Sequence, residues 1–327
     1  MRNMDEWLRT AAADQTVMPM LYYPCVRLTD HTVGETVKKG GAAAMAEVMT
    51  AAAARFPGLP CLQTALDVTI DPEAFGCCVS YADDSAPRIT GTVIADEADA
   101  AGLALPGPHA GRQDDAAEAV SLAAAHAGSR PVLANILGPF TLASGLMPFH
   151  EAMTAVMKKG GMMHRLCELA SDYLIARAKA LREAGADGIL LDEASGGVIP
   201  PRQSAAFSTD YIRRIVDAVQ DEHFIIILHN CGNITRAREA IYGTGCRAFS
   251  FGNLIDLASV SDKLPDNAWL IGNMDPMLLK NAAPEEVGRA MRELRARMAG
   301  CPRFLAAPGC DCPPESSFEA LDAMFES

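Results

Sequence analysis

HRLCELASDYLIARAKALREAGADGILLDEAS, residues 164–195, is a long helical pattern that runs directly into a buried strand. The strand part begins at Ala186 and has the length and apolar content of a strand covered on both faces. Seven similar runs begin at Val17, Leu59, Pro131, Phe224, Cys246, Ala268 and Arg303. Helical stretches lie between such runs, and this alternation predicts a parallel sheet.

Eight runs in 327 residues favour an α/β fold of the (β/α)8 TIM-barrel type. Residues 1–15 are expected to form a short N-terminal helical extension, and residues 1–327 a single domain. The alternative is a doubly wound sheet, but no Gly-x-Gly-x-x-Gly turn follows an early strand. Residues 70–130 are less regular and are expected to cover the barrel mouth.

The formal net charge of −13 argues against a nucleic-acid-binding face, which needs a basic surface. No apolar run approaches the roughly 20 residues of a membrane span. The N-terminal stretch MRNMDEWLRTAAADQ has no apolar signal core, so we expect a cytoplasmic protein. Most of the ten cysteines should then be reduced thiols, with Cys61, Cys77, Cys167 and Cys246 serving as small buried hydrophobes.

Polar side chains gather at the ends of the proposed strands, where a TIM barrel has its active site. They are Asp67, Asp192, Glu193, His229, Cys231, Asn253, Asn273, Asp275, Cys310 and Cys312. This shared position predicts one functional face.

His229 and Cys231, in IIILHNCGN, are two residues apart, and such side chains point to the same side of a strand. Imidazole and thiolate are zinc ligands, although a buried His and Cys in a strand turn would show the same spacing. Cys310, in PGCDCPP after the last strand, is the candidate third ligand; the alternative is a half-buried loop thiol. Three protein ligands with one open position are typical of catalytic zinc. Cys312 is a spare candidate for a fourth ligand.

At these residues the chain resembles the uroporphyrinogen decarboxylase superfamily, and within it the methylcobamide:coenzyme M methyltransferases. The similar segments are GLPCLQTALDVTIDPEAFGCCVSYADDSAPRITG, LGPFTLASGLM, EAGADGILLDEAS, ILHNCGN, LIGNMDP and LAAPGCDCPPESSFEALDAM. The decarboxylases carry an Arg-Gln-Ala-Gly-Arg stretch after the first strand, whereas residues 22–29 here read YYPCVRLT. The substrate of the decarboxylases carries eight carboxylates, which several arginines would have to bind. The methyltransferase branch therefore fits this sequence better.

The resemblance implies a zinc-dependent transfer of a methyl group from a methylated corrinoid (cobalamin) protein to a small acceptor, with His229, Cys231 and Cys310 as metal ligands. The acceptor stays open between a thiol such as coenzyme M and tetrahydrofolate. Two functions are alternatives to methyl transfer: that of a uroporphyrinogen decarboxylase and that of a non-catalytic partner of a corrinoid protein.

The coenzyme M enzymes carry acidic residues where this chain has Gly252 and Asn253, so water, Asp311 or Cys312 would take the open zinc position. Asp192 and Glu193 are the candidate catalytic residues; the alternative is a helix N-cap region. The candidate binding residues for the cofactor or acceptor are Asp67, Asn135, Asn253 and Asn273.

Overall fold

Strands and helices alternate along most of the chain, of which the computed structural model describes residues 2–327. The strands are β1 Leu62–Gln63, β2 Cys78–Ser80, β3 Arg88–Gly91, β4 Val132–Leu137, β5 Gly188–Asp192, β6 Ile225–Asn230, β7 Ala248–Phe251, β8 Trp269–Met274 and β9 Phe304–Pro308. Seven of them form one parallel sheet in the order β1-β4-β5-β6-β7-β8-β9. β2 and β3 pair separately as an antiparallel hairpin.

Helices flank this sheet along the whole chain. They are α1 Met4–Ala13, α2 Val33–Val37, α3 Ala42–Arg55, α4 Ile70–Ala74, α5 Glu97–Gly102, α6 Gln113–Ala124, α7 Pro139–Gly145, α8 Phe149–Lys158, α9 Gly160–Glu183, α10 Pro201–Ser204, α11 Asp210–Val219, α12 Arg238–Tyr242, α13 Ala258–Ser261, α14 Leu278–Asn281, α15 Pro284–Arg297 and α16 Phe318–Phe325. Two 3₁₀ turns, Tyr23–Leu28 and Ala194–Gly197, and a π turn, Ala205–Thr209, complete the list.

Alternate residues of the strands face opposite sides of the sheet, which curls around its inner face. Ile225 and Ile227 of β6 belong to a buried cluster that also holds residues of β4, β7, β8 and β9. Strands so far apart in the sheet can share one cluster only if the sheet bends back on itself. The short N-terminal helix that the sequence predicted is α1, and it packs into the same cluster through Met4 and Leu8. Ile226 and the remaining outward residues pack under the helices.

The run from Val17 does not form the eighth strand that the sequence predicted. Met18 N donates to Ala306 O at 2.9 Å, and Met20 makes a single parallel bridge to Asp311. Pro19 lies between them and has no N–H for a ladder, which explains why the pairing is interrupted. The fold is therefore an α/β fold with a seven-stranded parallel sheet.

The region 70–130 divides into two parts. Ile89 of the β2–β3 hairpin lies by Leu137 and Asp192, at the carboxyl ends of β4 and β5. α6 instead packs against α3 and β4 in the outer helix layer. The prediction that residues 70–130 cover this face therefore applies to the β2–β3 hairpin and not to α6. Within residues 2–327, no helix is both long enough and apolar enough to cross a membrane.

Candidate metal centre

β6 delivers His229 and Cys231 to the carboxyl end of the sheet. Its sequence IIILHN is buried throughout, and His229 has the same parity as Ile225 and Ile227 of the inner cluster. His229 therefore faces the inner side. Cys231 follows directly after the strand and is half-buried.

Cys310 reaches the same point because two glycines let three chain segments touch. A Cβ on Gly252 would come within 2.7 Å of Cys231 O, and a Cβ on Gly309 within 2.7 Å of Asn253 N. Real Cβ atoms do not approach so closely, so larger residues would separate the segments after β6, β7 and β9. The stacked backbones place Cys310 beside Cys231.

Three donor atoms, one each from His229, Cys231 and Cys310, lie within 4.8 Å of one another. His229 Nε2 is 2.9 Å from Cys231 Sγ, and the two sulfur atoms are 3.4 Å apart. His229 Nδ1 hydrogen-bonds Ser250 Oγ at 3.0 Å, which turns Nε2 toward the thiols. Donors about 2.0–2.3 Å from a tetrahedral zinc would lie roughly 3.3–3.8 Å apart. The 3.4 Å between the sulfur atoms matches this spacing, whereas the 2.9 Å between Nε2 and Cys231 Sγ would have to lengthen slightly on binding.

The three groups also perturb one another electrostatically. A hydrogen bond from Cys231 lowers the pKa of the Cys310 thiol below its usual value; burial opposes this shift, and the neighbouring His229 adds to it. The same interaction and burial raise the pKa of the Cys231 thiol. Burial lowers the pKa of His229, but the hydrogen bond and the charge of Cys310 outweigh it, so the net shift is upward. These opposite shifts favour the thiolate form, the ligand form of cysteine, at Cys310 over Cys231.

The other two residues of the last loop face different surroundings. Cys312 is fully buried in the apolar core, and its N–H donates to Met20 O at 3.0 Å. It is not part of the donor cluster. Asp311 pairs with Met20 in an isolated parallel β-bridge. Burial raises the pKa of the Asp311 carboxyl well above the usual value.

Asp192 and Glu193, both buried at the end of β5, have different partners. Asp192 is the register partner of His229, and its Oδ1 has no hydrogen bond in the structure. Burial raises its pKa to about 6. Glu193 Oε1 and Oε2 accept from Phe140 N at 3.0 Å and Thr141 N at 2.9 Å, at the start of α7. Glu193, at the end of β5, therefore caps the N-terminus of helix α7.

Asp192 also lines a cavity of about 400 Å³. The walls are mostly apolar and include Leu137 and Met147, together with the exposed ring of Phe149. The unpartnered carboxylate oxygen is thus a buried polar atom at the edge of an apolar space. Such an atom favours a ligand that donates a hydrogen bond.

The four candidate binding residues differ in how far the fold already uses their polar atoms. Asp67 is fully used inside the fold: its Oδ2 pairs with Arg112 Nη1 at 2.6 Å, and its Oδ1 accepts from Thr69 N and Oγ1 at 2.8 and 2.7 Å. Asn135 Nδ2 donates to the Thr64 carbonyl, while its buried Oδ1 has no partner.

Asn273 is hydrogen-bonded within the fold, whereas Asn253 is exposed to solvent. Asn273 Nδ2 donates to Gly252 O at 3.1 Å and to Ile255 O at 2.8 Å, which holds the loop after β7. Asn253 is exposed and lines a different cavity of about 430 Å³ together with Asn273.

Sequence reasoning missed several residues that shape the site. Ser250 orients His229, and Asn230 ties β5 to the loop after β6: its Nδ2 donates to Glu193 O at 2.8 Å, and its Oδ1 accepts from Gly232 N at 2.8 Å. A polar residue within a buried strand was the available signal for both. Arg177 forms a buried ion pair with Asp71, as Arg112 does with Asp67, so neither cation is free for a ligand.

The profile of the uroporphyrinogen decarboxylase family matches residues 25–327. The chain belongs to the uroporphyrinogen decarboxylase family. It is 28% identical over 277 residues to the methylcobamide:CoM methyltransferase MtbA of Methanosarcina acetivorans, covering 82% of this chain and 79% of the relative. It is 27% identical over 273 residues to the uroporphyrinogen decarboxylase of Psychromonas ingrahamii, covering 80% and 77%.

The fold comparison agrees with the family. A methyltransferase from Methanosarcina mazei superposes with a TM-score of 0.87 and 21% sequence identity, covering 98% of this chain and 96% of that one. A B12-independent methionine synthase from Shewanella gives a TM-score of 0.59 at 14% identity, with 88% of each chain covered. At these identities the two structures show a shared fold. The resemblance stated from the sequence is confirmed, and the chain is an enzyme of this superfamily.

Proposed function

We propose that the protein is a zinc-dependent methyltransferase that moves a methyl group from a methylated corrinoid protein to a small nucleophilic acceptor. The observation that carries the proposal is the His229, Cys231 and Cys310 cluster, whose donor atoms lie within 4.8 Å. Similarity to MtbA supports the same function.

The donor set is well suited to one Zn²⁺ ion. His229 would bind through Nε2, because Nδ1 is held by Ser250, and Cys231 and Cys310 would bind as thiolates. Binding therefore requires Cys231 to lose its proton, while the pKa of Cys310 is already low. When bound, zinc supplies Lewis-acid stabilisation that makes a thiol or water at its open position more acidic.

The residues around this cluster position the methyl acceptor. Asp192 Oδ1, which has no partner in the fold, would accept a hydrogen bond from an S–H or N–H of the acceptor. Asn135 Oδ1 is a second unpartnered acceptor atom on the inner side of the sheet. The cavity beside Asp192 would offer mostly apolar walls to the transferred methyl group.

The transfer itself is a displacement at carbon. The acceptor's lone pair forms the new bond to the methyl carbon, the carbon–cobalt bond of the corrinoid breaks, and its electron pair stays on cobalt. The acceptor's proton leaves before or during attack, and Asp192 Oδ1 is the nearby group that can receive it. Glu193 is assigned a positioning role, since both its oxygens hold α7.

The decarboxylase alternative lacks the cations that its substrate needs. Arg112 and Arg177 are buried in ion pairs, and Arg27 donates to the Ser316 and Pro24 carbonyls and stacks on Phe318. Eight carboxylates could not be desolvated by the remaining exposed arginines. Asp67 and Asp71 are neutralised by the same two ion pairs.

We propose that residues 17–20 stand in the eighth strand position between β9 and β1 and so close a TIM barrel over one domain, residues 1–327. Met18 N donates to Ala306 O of β9 at 2.9 Å, and Gln63 Nε2 of β1 donates to Pro19 O at 2.9 Å. Side-chain bonding thus replaces the ladder on the β1 side.

Elemental analysis and turnover test the function together. Protein purified without chelator should carry about one zinc per chain and should demethylate methylcobalamin with coenzyme M or tetrahydrofolate as acceptor. The matched arm offers uroporphyrinogen under anaerobic conditions. Zinc near zero, or coproporphyrinogen formed at about 1 per second or faster, would overturn the proposal.

A further inference from the structure

Cys231 and Cys310 are in direct contact although they come from distant parts of the chain. Their Sγ atoms are 3.4 Å apart, and the two positions are separated by 79 residues. Cys231 follows β6 and Cys310 follows β9, so the pair joins two strands that β7 and β8 separate in the sheet. Among residues 2–327, no other two cysteines are hydrogen-bonded to each other. The contact is therefore specific to this pair.

Small solutes can reach this pair but not most of the other thiols. Cys231 and Cys310 are half-buried, whereas six of the ten cysteines are fully buried. The buried six are Cys25, Cys61, Cys77, Cys167, Cys246 and Cys312. Cys78 is exposed and Cys301 is half-buried, but neither forms a hydrogen bond to another cysteine of the described chain. An oxidised Cys231 or Cys310 thus has a second thiol beside it, and an oxidised Cys78 or Cys301 does not.

The two sulfur atoms need to move only a little to form a bond. An S–S bond is about 2.05 Å long, so each Sγ would have to move by less than about 1 Å from the present 3.4 Å. Rotation about the two Cα–Cβ bonds changes this distance without moving the backbone. The backbones themselves are held together, because Gly252 and Gly309 leave no room for a side chain between the segments after β6, β7 and β9.

We propose that Cys231 and Cys310 form a reversible disulfide that switches the metal centre off when a hydroperoxide oxidises the protein. A disulfide sulfur has lost the thiolate charge that binds zinc, so the oxidised protein keeps only His229 of the three donors. The inference rests on the proposed function for the consequence of the switch, but not for the formation of the disulfide. A dithiol reductant returns both cysteines to thiols by exchange.

The oxidation proceeds in two steps, with hydrogen peroxide as the oxidant. One sulfur attacks a peroxide oxygen, the O–O bond breaks, and the sulfur becomes a sulfenic acid while hydroxide takes up the thiol proton and leaves as water. The other sulfur then attacks the sulfenic sulfur, the S–O bond breaks, and a second water leaves with the second thiol proton. Two thiols and one peroxide thus give one disulfide and two waters.

The first arm of the test uses the reduced protein freed of zinc by a chelator. After treatment with hydrogen peroxide, the thiols left are counted in denaturant with a chromogenic reagent. We expect the count to fall from ten to eight, and mass spectrometry of the unreduced digest to show a Cys231–Cys310 cross-link. Cys312→Ala and Cys78→Ser, which remove the thiol nearest in sequence and the exposed thiol, should form the same cross-link. Cys310→Ala should form none.

The second arm measures zinc binding by competition with a chromophoric chelator. Loss of two ligands should weaken zinc binding by more than the roughly 100-fold that loss of a supporting residue costs, and reduction with dithiothreitol followed by desalting should restore it. Zinc-loaded protein treated with peroxide should release about one zinc for each disulfide formed.

A cross-link through Cys312, Cys301 or Cys78 in place of this pair would overturn the inference. Oxidation of Cys231 and Cys310 to sulfinic acids without any cross-link would do the same, as would a cross-linked protein that binds zinc as tightly as the reduced one. If the disulfide forms but the reduced protein binds no zinc and transfers no methyl group, the disulfide stands and the proposed function fails.

Discussion

Asn230 lies between two of the proposed metal ligands, and its amide makes two hydrogen bonds of 2.8 Å, to Glu193 O and from Gly232 N. Asn230→Ala removes both bonds and leaves the buried Gly232 N–H without a partner, while Glu193 O keeps its bond from Gly196 N at 3.1 Å. The unsatisfied N–H costs about 1–3 kcal/mol and the lost bond to Glu193 O about 0.5–1.5 kcal/mol, so the free energy of unfolding should fall by about 2–4 kcal/mol. The turn at Cys231 also loses its anchor, and zinc affinity should fall about 10–100-fold, as for other residues that orient ligands.

Two measurements separate these effects. Urea unfolding of the chelator-treated protein gives the stability change without any contribution from zinc binding. Competition with a chromophoric chelator gives the zinc affinity. Asn233→Ala is the matched control: Asn233 is in the same loop, but its Oδ1 only accepts an exposed bond from Thr235 N at 3.2 Å. An Asn230→Ala protein within about 0.5 kcal/mol of the control, with equal zinc affinity, would refute the reasoning.

Three further substitutions follow from the same contacts. Cys310→Ala should abolish zinc retention and methyl transfer in elemental and turnover assays while Cys167→Ala, also a buried thiol, keeps both and loses about 1 kcal/mol of stability. Ser250→Ala frees the His229 ring and should weaken zinc binding about 10–100-fold by chelator competition, and it should cost about 1–3 kcal/mol in urea unfolding because the buried Nδ1 loses its partner. Arg112→Met leaves Asp67 buried without its cation and should cost about 3–5 kcal/mol in urea unfolding, part of which Arg112→Met with Asp67→Leu should recover.

The strands could be predicted because a buried strand requires a short run of apolar residues, whatever its neighbours are. Seven of the eight predicted runs contain strands of the parallel sheet. The exception is the run from Val17. It is apolar enough for a buried strand, but Pro19 has no N–H to donate to a neighbouring strand. A prediction based on apolar content alone does not take this missing donor into account.

The candidate site was predictable to the extent that local geometry determines it. The two-residue spacing of His229 and Cys231 fixes their common side, and the glycine before Cys310 indicated a close approach. The roles of Glu193 and Asp67 were not predictable, because their partners, Phe140 and Arg112, come from segments 53 and 45 residues away. No local pattern contains that information, and both side chains proved to be used within the fold.

The buried acidic residues differ in whether all their carboxylate oxygens have hydrogen-bond partners. This difference decides which of them can bind a ligand. A buried carboxylate whose oxygens all have partners, such as Asp67, gains nothing from a ligand and resists being moved. Asp192 keeps one buried oxygen without a partner, next to the register position of His229 and at the edge of an apolar cavity. Folding leaves that desolvation cost uncompensated, and a ligand that donates one hydrogen bond there would recover it. The same side chain can therefore select the acceptor and position its reactive atom toward the cysteines.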